Sequence, residues 1–297
     1  MAAAPILVVG RSGQVATELV RLREIAGRPV MALGRADGFD LAAPGSISPV
    51  LERAAPALVI NAAAYTAVDR AERDGEAARA LNALGPGRLA EICAGAGIAL
   101  IHLSTDYVFD GRRQDPWHED DPVAPLGVYG RTKAEGEALI RAACPQHVIL
   151  RTAWVFAGHG HNFVRTMLRL GRERDALAIV DDQRGGPTPA NAIASACARI
   201  ATELLDGRAD GFGTFHYAGA PTVTWFGFAR AIFAVAARHG YAAPRLSPIP
   251  SSAYPTPAPR PANSALDCSR IEQVWGIGRP DWQATLEGVV ADLLGEI

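Results

Sequence analysis

The stretch that decides the fold of this chain is residues 6–16, which read ILVVGRSGQVA. A strand-length apolar run leads into a glycine turn with the spacing Gly-x-x-Gly-x-x-Ala, and a helical pattern follows. Glycines allow a tight turn and a close approach of the backbone to a pyrophosphate, which the free N–H groups and the dipole of a helix N-terminus attract. The sequence therefore predicts a dinucleotide-binding turn with contacts from Gly10, Arg11, Ser12, Gly13, Gln14 and Val15.

Two further segments extend this predicted cofactor site. Arg35 follows the second apolar run, where dinucleotide-binding folds often carry an acidic residue for the ribose 2′-hydroxyl. A guanidinium suits a 2′-phosphate instead, so the sequence favours NADPH, although Asp37 and Asp40 keep NADH open. Three alanines after Asn61 leave room for a cofactor at the end of the third apolar run. The predicted contacts in these segments are Arg35, Asp40, Leu41, Ala62, Ala63 and Ala64.

Apolar runs of strand length alternate with helical patterns along the chain. The predicted strands are residues 6–9, 30–33, 58–60, 99–103, 147–150 and 177–180. The predicted helices are residues 14–23, 76–82, 89–96, 133–143, 163–172, 192–205 and 226–239. This alternation predicts an α/β fold with a doubly wound parallel Rossmann sheet.

A change of character after residue 152 predicts two domains. Residues 1–152 are predicted to form the dinucleotide-binding Rossmann domain, with strand and helix returns around residues 177–210. Residues 153–297 are predicted to form mainly a smaller C-terminal substrate-binding domain. The Pro-rich residues 244–261 are predicted to be an ordered loop, a lid or a linker, because proline fits neither a helix interior nor a central strand.

The composition restricts the class of protein. A net charge of −2 over 297 residues shows no excess of positive charge that would attract nucleic acid or an anionic membrane. The apolar runs fall short of the ~20 residues that a membrane-spanning helix needs, and the opening residues read as a first strand rather than a signal peptide. Four dispersed cysteines indicate buried thiols, with no disulfide or zinc site. We therefore expect a cytoplasmic protein with a small-molecule partner.

A tyrosine and a lysine at helical spacing are the candidate acid-base pair. Tyr129 and Lys133 lie four residues apart, so on a helix they share one face and the ammonium can favour the ionised phenol. Proton transfer works best when the pKa of the donor lies near the operating pH, which gives the lysine a chemical role. The spacing is common on solvated helices, and its meaning therefore depends on the rest of the chain.

Several longer motifs carry a family resemblance. They are NAAAYTAVDRAE at 61–72, STDYVFDG at 104–111, YGRTK at 129–133, RTAWVFAG at 151–158, NFVRTMLRL at 162–170, DDQRGGPT at 181–188 and AYPTPAPRPANSALD at 253–267. With these motifs in this order over nearly its whole length, the chain resembles the dTDP-4-dehydrorhamnose reductases, which are extended short-chain dehydrogenases/reductases.

The resemblance implies a reaction and a set of site residues. NADPH or NADH would deliver hydride to the C4 carbonyl of dTDP-4-dehydro-L-rhamnose and give dTDP-L-rhamnose, the last step of a pathway that supplies O-antigen and cell-wall polysaccharides. Tyr129 would donate the proton, with Lys133 and Thr105 as its catalytic partners. Tyr129 and Lys133 would also contact the cofactor, with Lys133 hydrogen-bonded to the nicotinamide ribose. The implied substrate contacts are Ser104, Thr105, Asp106, Trp154, Asn162, Gln183 and Arg260, with Arg184 as a further candidate.

The resemblance also bears on metal and assembly. Some members of the family hold magnesium through carboxylates at a dimer contact. After Thr188 this chain reads Pro189-Ala190-Asn191, so we doubt a required metal and assign no metal ligand. The protein is expected to be a monomer or a homodimer.

Two alternative functions remain open from the sequence. Another nucleotide-sugar epimerase or dehydratase of the same superfamily is possible because Asp106, next to the catalytic threonine, could serve as an additional acid or base. A non-catalytic NADP-binding regulatory subunit of the methionine adenosyltransferase type is the second alternative. The intact Thr105, Tyr129 and Lys133 argue against it, because a binding module needs no proton-transfer residues.

Overall fold

The structure is a computed structural model that describes residues 3–296, so Met1, Ala2 and Ile297, the ends of the predicted domains, lie outside it. The strands are β1 (Ile6–Val9), β2 (Glu24–Ile25), β3 (Arg28–Leu33), β4 (Leu58–Asn61), β5 (Ala99–Thr105), β6 (His147–Thr152), β7 (Val155–Phe156), β8 (Ala176–Val180), β9 (Arg184–Gly185), β10 (Thr188–Pro189), β11 (Gly213–His216), β12 (Val223–Thr224) and β13 (Arg245–Ile249). The α-helices are α1 (Gln14–Arg21), α2 (Ile47–Ala54), α3 (Val68–Ala71), α4 (Gly75–Arg79), α5 (Gly85–Gly95), α6 (Val128–Ala143), α7 (Phe163–Glu173), α8 (Ala190–Leu205), α9 (Trp225–Arg238), α10 (Ser269–Trp275) and α11 (Trp282–Glu296).

The central sheet confirms the predicted fold class. Within residues 3–296 it has seven strands in the order β11-β6-β5-β4-β1-β3-β2, parallel except for the pairing of β2 with β3. The strand order reverses at β1, which has β3 on one side and β4 on the other. In open α/β sheets ligands bind at such a switch point, beyond the carboxyl ends of the strands. Gly10, Gly34, Ala62 and Asp106 follow four of these strand ends and therefore lie at this edge.

Alternation of side chains along β1 places a helix layer on each face of the sheet. Ile6 and Val8 pack in one apolar core with α1 and α8, and Leu7 and Val9 pack in a second core with α2, α5 and α6. All four of these side chains are buried. A strand buried on both faces reads as a continuous apolar run, which explains why β1 shows no polar alternation.

A third core lies in the C-terminal half. Helices α7, α9 and α11 pack with β8 and β13 around Phe228 and Trp282, both of which are buried. The indole N–H of Trp282 donates to the carbonyl of Pro221 at 2.7 Å. This separate core is consistent with a smaller substrate-binding unit, whose boundary at residue 152 stays a prediction.

Four details differ from the expectations. The prediction that residues 177–180 belong to the central sheet is wrong, because β8 pairs in parallel with β13 outside it. That pairing also gives the Pro-rich residues 244–261 a short strand in addition to loop. The central sheet instead gains β11, which the sequence analysis did not predict. The helices predicted at 76–82 and 89–96 form one helical run, joined by a π-helical turn at Ala80–Leu84.

The cysteines and the helix lengths add two findings. Cys93, Cys144, Cys197 and Cys268 all lie in the described chain, and each is buried and free of a disulfide. In residues 3–296 the helices are too short or too polar to cross a membrane.

Candidate active site

The glycine turn has the shape of a pyrophosphate cradle. Gly10 has φ of +110°, in the region that favours glycine, and a Cβ there would lie 3.4 Å from the backbone nitrogen of Ala63. Gly13 begins α1 with extended backbone, and in the described chain no side chain caps the first N–H groups of this helix. These N–H groups can therefore bind a phosphate, so the turn fits a dinucleotide.

Two predicted cofactor contacts are restricted to their backbone groups. Val15 is 8% exposed and packs in the core with α1 and α8, while Leu41 is 2% exposed and packs in the core with α2 and α5. The packing of Leu41 is so close that a Cβ on Gly85 would lie 2.3 Å from its carbonyl oxygen. Neither side chain can reach a cofactor, because apolar burial holds both in the cores.

Two arginines lie at the end of β3, where a ribose 2′-substituent is expected. Arg11 Nη1 pairs with Asp37 Oδ1 at 2.7 Å, and the Gly34 backbone N–H donates to Asp37 Oδ2 at 3.0 Å. These two hydrogen bonds, Gly34 first, lower the pKa of Asp37. Asp37 is thus engaged, while Arg35 is exposed. Asp40 accepts from the backbone N–H of Ala42 at 3.0 Å.

Tyr129 and Thr105 come together at the carboxyl edge of the sheet. Tyr129 lies in the first turn of α6 and Thr105 ends β5. Burial raises the pKa of Tyr129 to about 12, while a hydrogen bond with Thr105 opposes the rise and the carboxyl group of Asp106 adds to it. Lys133 is not among the groups that shift this pKa, so the expectation that it lowers the phenol pKa stays a prediction.

Lys133 is turned towards the central sheet. Its Nζ donates to the carbonyl of Leu103 at 2.7 Å and lies 3.0 Å from His102 Nε2. Lys133 is 1% exposed, and burial lowers the pKa of its amine to about 8 although Glu137 opposes the change. The sequence analysis gave no role to His102, whose signal is a lone histidine in the middle of an apolar strand.

Asp106 presents a free carboxylate oxygen in the site. The Thr105 hydroxyl donates to Asp106 Oδ1 at 2.9 Å, whereas Oδ2 is buried and has no hydrogen-bond partner among the described residues. Burial raises the pKa of Asp106 to about 6, against hydrogen bonds from Ser264 and Thr105. Buried polar atoms are nearly always paired, so this oxygen fits a ligand hydroxyl group.

Ser104 belongs to a charged network behind the site, which corrects its assignment as a substrate contact. Its hydroxyl is buried and donates to Glu137 Oε1 at 2.6 Å. Glu137 also accepts two hydrogen bonds from Arg151, at 2.9 Å to Oε1 and 2.7 Å to Oε2. The Ser104 hydroxyl is therefore engaged with α6 and supports the strand end that carries Thr105.

Trp154 is partly buried and already stacked on another aromatic ring. Its ring lies 3.4 Å from that of Trp225, with an interplanar angle of 6°, and a Cβ on Gly185 would lie 2.6 Å from it. The backbone of Trp154 has φ of +50°, an uncommon conformation for a bulky residue that often accompanies function. Trp225, which packs against the core of α7, α9 and α11, thus supports the predicted sugar-stacking residue.

Asn162 contacts the glycine turn, a different position from the one predicted. Its side chain caps α7 through the Arg165 N–H, and its Nδ2 donates to Gln14 Oε1 at 3.0 Å and to the Ala157 carbonyl at 2.9 Å. Both ends of the amide are therefore engaged within the protein. A role for Asn162 in holding the C-terminal half on the cofactor turn replaces direct substrate binding.

The other predicted substrate residues lie at the start of β9 and in the Pro-rich segment. Gln183 donates to Ser251 at 2.8 Å, and Arg184 Nε donates to Asn263 Oδ1 at 3.2 Å. Arg260 pairs with Asp69 at 2.9 Å. The Arg260 guanidinium also lies 6.0 Å from the ring centre of Tyr107, which in turn contacts the Tyr129 ring at 5.6 Å. Tyr107 thus lies between Arg260 and the proton donor, and the role of Arg260 as a substrate contact stays a prediction.

The described residues contain no group of three or more His, Cys, Asp or Glu side chains that could hold a metal ion. The titratable and hydroxyl groups at this edge of the sheet are Thr105, Asp106, Tyr129 and Lys133.

A glycine turn at the switch point of a Rossmann sheet, with a Tyr-x-x-x-Lys helix at the same edge, defines an extended short-chain dehydrogenase/reductase. The family model described as RmlD substrate binding domain matches residues 4–294. A dTDP-4-dehydrorhamnose reductase of Aggregatibacter actinomycetemcomitans is 42% identical over 97% of this chain and 99% of its own length. The chain belongs to the dTDP-4-dehydrorhamnose reductase family.

Solved structures agree with this assignment. A dTDP-4-dehydrorhamnose reductase from Clostridium acetobutylicum matches with a TM-score of 0.88 at 33% identity, covering 99% of this chain and 100% of the other. The dTDP-4-dehydrorhamnose reductase of Bacillus anthracis, solved in complex with NADP, matches with a TM-score of 0.87 at 28% identity, covering 98% and 100%.

Proposed function

We propose that this protein reduces the C4 carbonyl of dTDP-4-dehydro-L-rhamnose with NADPH and forms dTDP-L-rhamnose, the last step of dTDP-rhamnose synthesis. The observation that carries the proposal is the contact of Tyr129 with Thr105 at the sheet edge that also holds the glycine turn. Full-length similarity to dTDP-4-dehydrorhamnose reductases supports the choice of substrate.

The cofactor would be held at the switch point of the sheet. NADPH supplies the hydride when it is bound. The N–H groups at the start of α1 would bind its pyrophosphate, and Arg11 and Arg35 would lie near a 2′-phosphate. Ala62, Ala63 and Ala64 are partly exposed and keep this edge free of bulky side chains.

Tyr129 would supply the proton to the substrate oxygen. Because its pKa is raised to about 12, the phenol keeps its proton throughout the neutral range. When the C4 carbon accepts hydride, its oxygen becomes an alkoxide, which is a stronger base than phenolate and takes the proton. The Thr105 hydroxyl lies beside the phenol and donates to Asp106 in this structure. Turning that O–H towards the substrate oxygen would stabilise the negative charge that develops there.

The substrate would be held by groups from both halves of the chain. Asp106 Oδ2 is the acceptor available for a sugar hydroxyl. Arg260 is the candidate for the diphosphate, since a guanidinium forms paired hydrogen bonds with phosphate oxygens. The diphosphate would then replace Asp69, the present partner of Arg260.

A cofactor-consumption assay tests the proposed function. We expect the purified protein to oxidise one NADPH for each dTDP-L-rhamnose formed, measured by nicotinamide absorbance and by chromatography of the sugar nucleotide. An epimerase or dehydratase that recycles its cofactor would convert substrate with no lasting change in absorbance. A regulatory NADP-binding subunit would bind NADPH and never oxidise it. Either result would contradict the proposal.

Cofactor preference depends on Arg35. We expect Arg35→Asp to lower the preference for NADPH over NADH by roughly ten- to a hundred-fold, because hydrogen bonds to charged groups contribute about 1.5–3 kcal/mol. The measurement is kcat/KM with each cofactor at saturating sugar nucleotide. Arg230→Asp, an exposed arginine on α9, is the matched control and should leave the ratio unchanged. An unchanged ratio in Arg35→Asp would mean that Arg35 contacts only solvent.

A further inference from the structure

Three buried polar side chains form a row of contacts behind the proton donor. Asn61 ends β4, His102 lies in the middle of β5, and Lys133 lies on α6. Asn61 Nδ2 is 3.0 Å from His102 Nδ1, and His102 Nε2 is 3.0 Å from Lys133 Nζ. All three residues are at most 1% exposed, so these contacts exclude water.

The backbone of the neighbouring strand end fixes the orientation of Asn61. The N–H of Ala63 donates to Asn61 Oδ1 at 3.1 Å, so the amide oxygen faces Ala63 and the amide nitrogen faces His102. An amide nitrogen only donates. His102 Nδ1 must therefore accept, and the neutral ring carries its single proton on Nε2.

This tautomer determines what His102 offers to Lys133. Its Nε2–H points at Lys133 Nζ, which also donates to the Leu103 carbonyl at 2.7 Å. An ammonium group has no lone pair and cannot accept from an N–H, whereas a neutral amine accepts one hydrogen bond and donates others. Both contacts of Nζ are therefore satisfied together only by the amine.

We propose that Asn61 and His102 are positioning residues that present an imidazole N–H to Lys133 and favour its amine form, so that the lysine exchanges a proton in each turnover. The inference rests on the proposed reductase function. It assigns a task to two residues that contact neither the reacting carbon nor its oxygen.

The protonation balance of the reaction fits this role. Tyr129 gives its proton to the oxygen that has become an alkoxide and is left as a phenolate. The ammonium form of Lys133 returns one proton to the phenolate and becomes the amine, and solvent later restores its proton. The sum is one hydride from NADPH and one proton from water added to one ketone. A lysine fixed as a cation could stabilise the phenolate but could not complete this cycle.

Burial acts in the same direction as the hydrogen bonds. It lowers the pKa of Lys133 to about 8 and holds the pKa of His102 well below its usual range. On its own helix Lys133 faces Tyr129 and Glu137, one turn away on either side. The pKa of Glu137 is lowered because Arg151 of β6 outweighs the effect of burial.

The remaining charged groups near this row are engaged elsewhere. Arg79 of α4 pairs with Glu135 at the surface, at 2.6 Å. Asp106, at the end of β5, raises the pKa of Tyr129 and accepts from Thr105. Among these groups, His102 is therefore the neighbour that contacts Lys133 Nζ through a side-chain atom.

The first test observes the tautomer directly. The full chain, labelled with ¹⁵N-histidine and saturated with NADP⁺, is examined by long-range ¹H–¹⁵N correlation, and His102→Gln identifies the resonance of His102 among the seven histidines. We expect a neutral ring protonated on Nε2. A ring protonated on Nδ1, or on both nitrogens, would overturn the inference whatever the enzyme's substrate proves to be.

The second test reverses the direction of the hydrogen bond between Asn61 and His102 by a substitution of nearly the same size. In Asn61→Asp the carboxylate accepts from His102 Nδ1–H, so that Nε2 becomes an acceptor and favours the ammonium form of Lys133. Activity that requires this ammonium falls as pH rises through its pKa. A raised pKa therefore moves the alkaline fall of kcat to higher pH, by about one unit, with KM for NADPH little changed.

A control and a second variant keep the test decisive. Asn82→Asp alters another buried asparagine, which contacts Tyr65 and Thr132, and should leave the alkaline fall in place. If Asn61→Asp does not fold, His102→Gln serves, since its amide can turn the oxygen towards Lys133. An alkaline fall that stays in place in a folded variant contradicts the inference. A native protein that never oxidises NADPH contradicts the proposed function instead, and the tautomer still decides the inference.

Discussion

Replacing Tyr129 by phenylalanine is expected to lower kcat by about two to four orders of magnitude, the usual range for loss of a general acid. The phenol is the hydroxyl that contacts Thr105, and its raised pKa keeps the proton available until the alkoxide forms. The variant keeps the aromatic ring and hence the edge contact with Tyr107. Affinity for NADPH should therefore stay near normal, measured by fluorescence titration beside steady-state kinetics.

Tyr217→Phe is the matched control for that experiment. Tyr217 is also buried, and burial likewise raises its pKa to about 12, but it packs in the core with α8, near Cys197 and Cys268. We expect its kcat to change little. Unchanged turnover in Tyr129→Phe would remove Tyr129 from the mechanism, and an equal loss in both variants would mean that a buried phenol matters only for stability.

Glu137→Gln is expected to have the largest effect on stability. Glu137 is fully buried, and its two oxygens accept from Arg151, which is 2% exposed. Removing one partner of a buried ion pair leaves an uncompensated charge and costs about 3–5 kcal/mol. The free energy of unfolding, measured by urea denaturation, should fall by that amount without a change in the m-value.

Two further variants isolate the cause of that loss. Glu135→Gln removes one partner of the exposed pair with Arg79 and should cost at most about 1 kcal/mol, as surface pairs do. In the double variant Glu137→Gln with Arg151→Met the unpaired cation is gone, so much of the stability should return. A small loss in Glu137→Gln alone would show that Arg151 finds other partners.

The stability that the Glu137–Arg151 pair contributes depends on pH. Burial acts to raise the pKa of Glu137, but the hydrogen bond and charge of Arg151 outweigh it, so the folded-state pKa is lowered. A glutamate whose pKa is lower in the folded than in the unfolded state stabilises the protein at pH values above its usual pKa. The contribution is therefore full at neutral pH and is lost as pH falls through the folded-state value.

Local patterns in the sequence were sufficient to predict five strands of the central sheet and the glycine turn after β1. The run before Gly10 and the spacing up to Ala16 are contiguous, and their physical meaning depends on few distant contacts. Pairing of β8 with β13 joins segments about seventy residues apart in the chain, and neither segment specifies its partner. The sequence therefore predicted the strand at residues 177–180 and assigned it to the wrong sheet.

The site shows the same division between local and distant information. Helical spacing placed Tyr129 and Lys133 on one helix face, but it could not tell that Lys133 Nζ contacts His102 on a neighbouring strand. The family resemblance implied that Ser104 contacts the substrate. Its engagement with Glu137 depends on a helix position thirty-three residues away, which no motif encodes.

The four buried cysteines are unreactive in the folded protein and become reactive in the unfolded chain. Burial raises the pKa of Cys93 and Cys197 to about 12 and that of Cys268 to about 11, and the pKa of Cys144 is raised as well. Only the thiolate reacts with alkylating reagents and oxidants. A molecule that unfolds exposes thiols with ordinary pKa values. The rate of alkylation therefore measures how often the folded protein unfolds. The native protein thus carries its own internal reporter of how often its cores come apart.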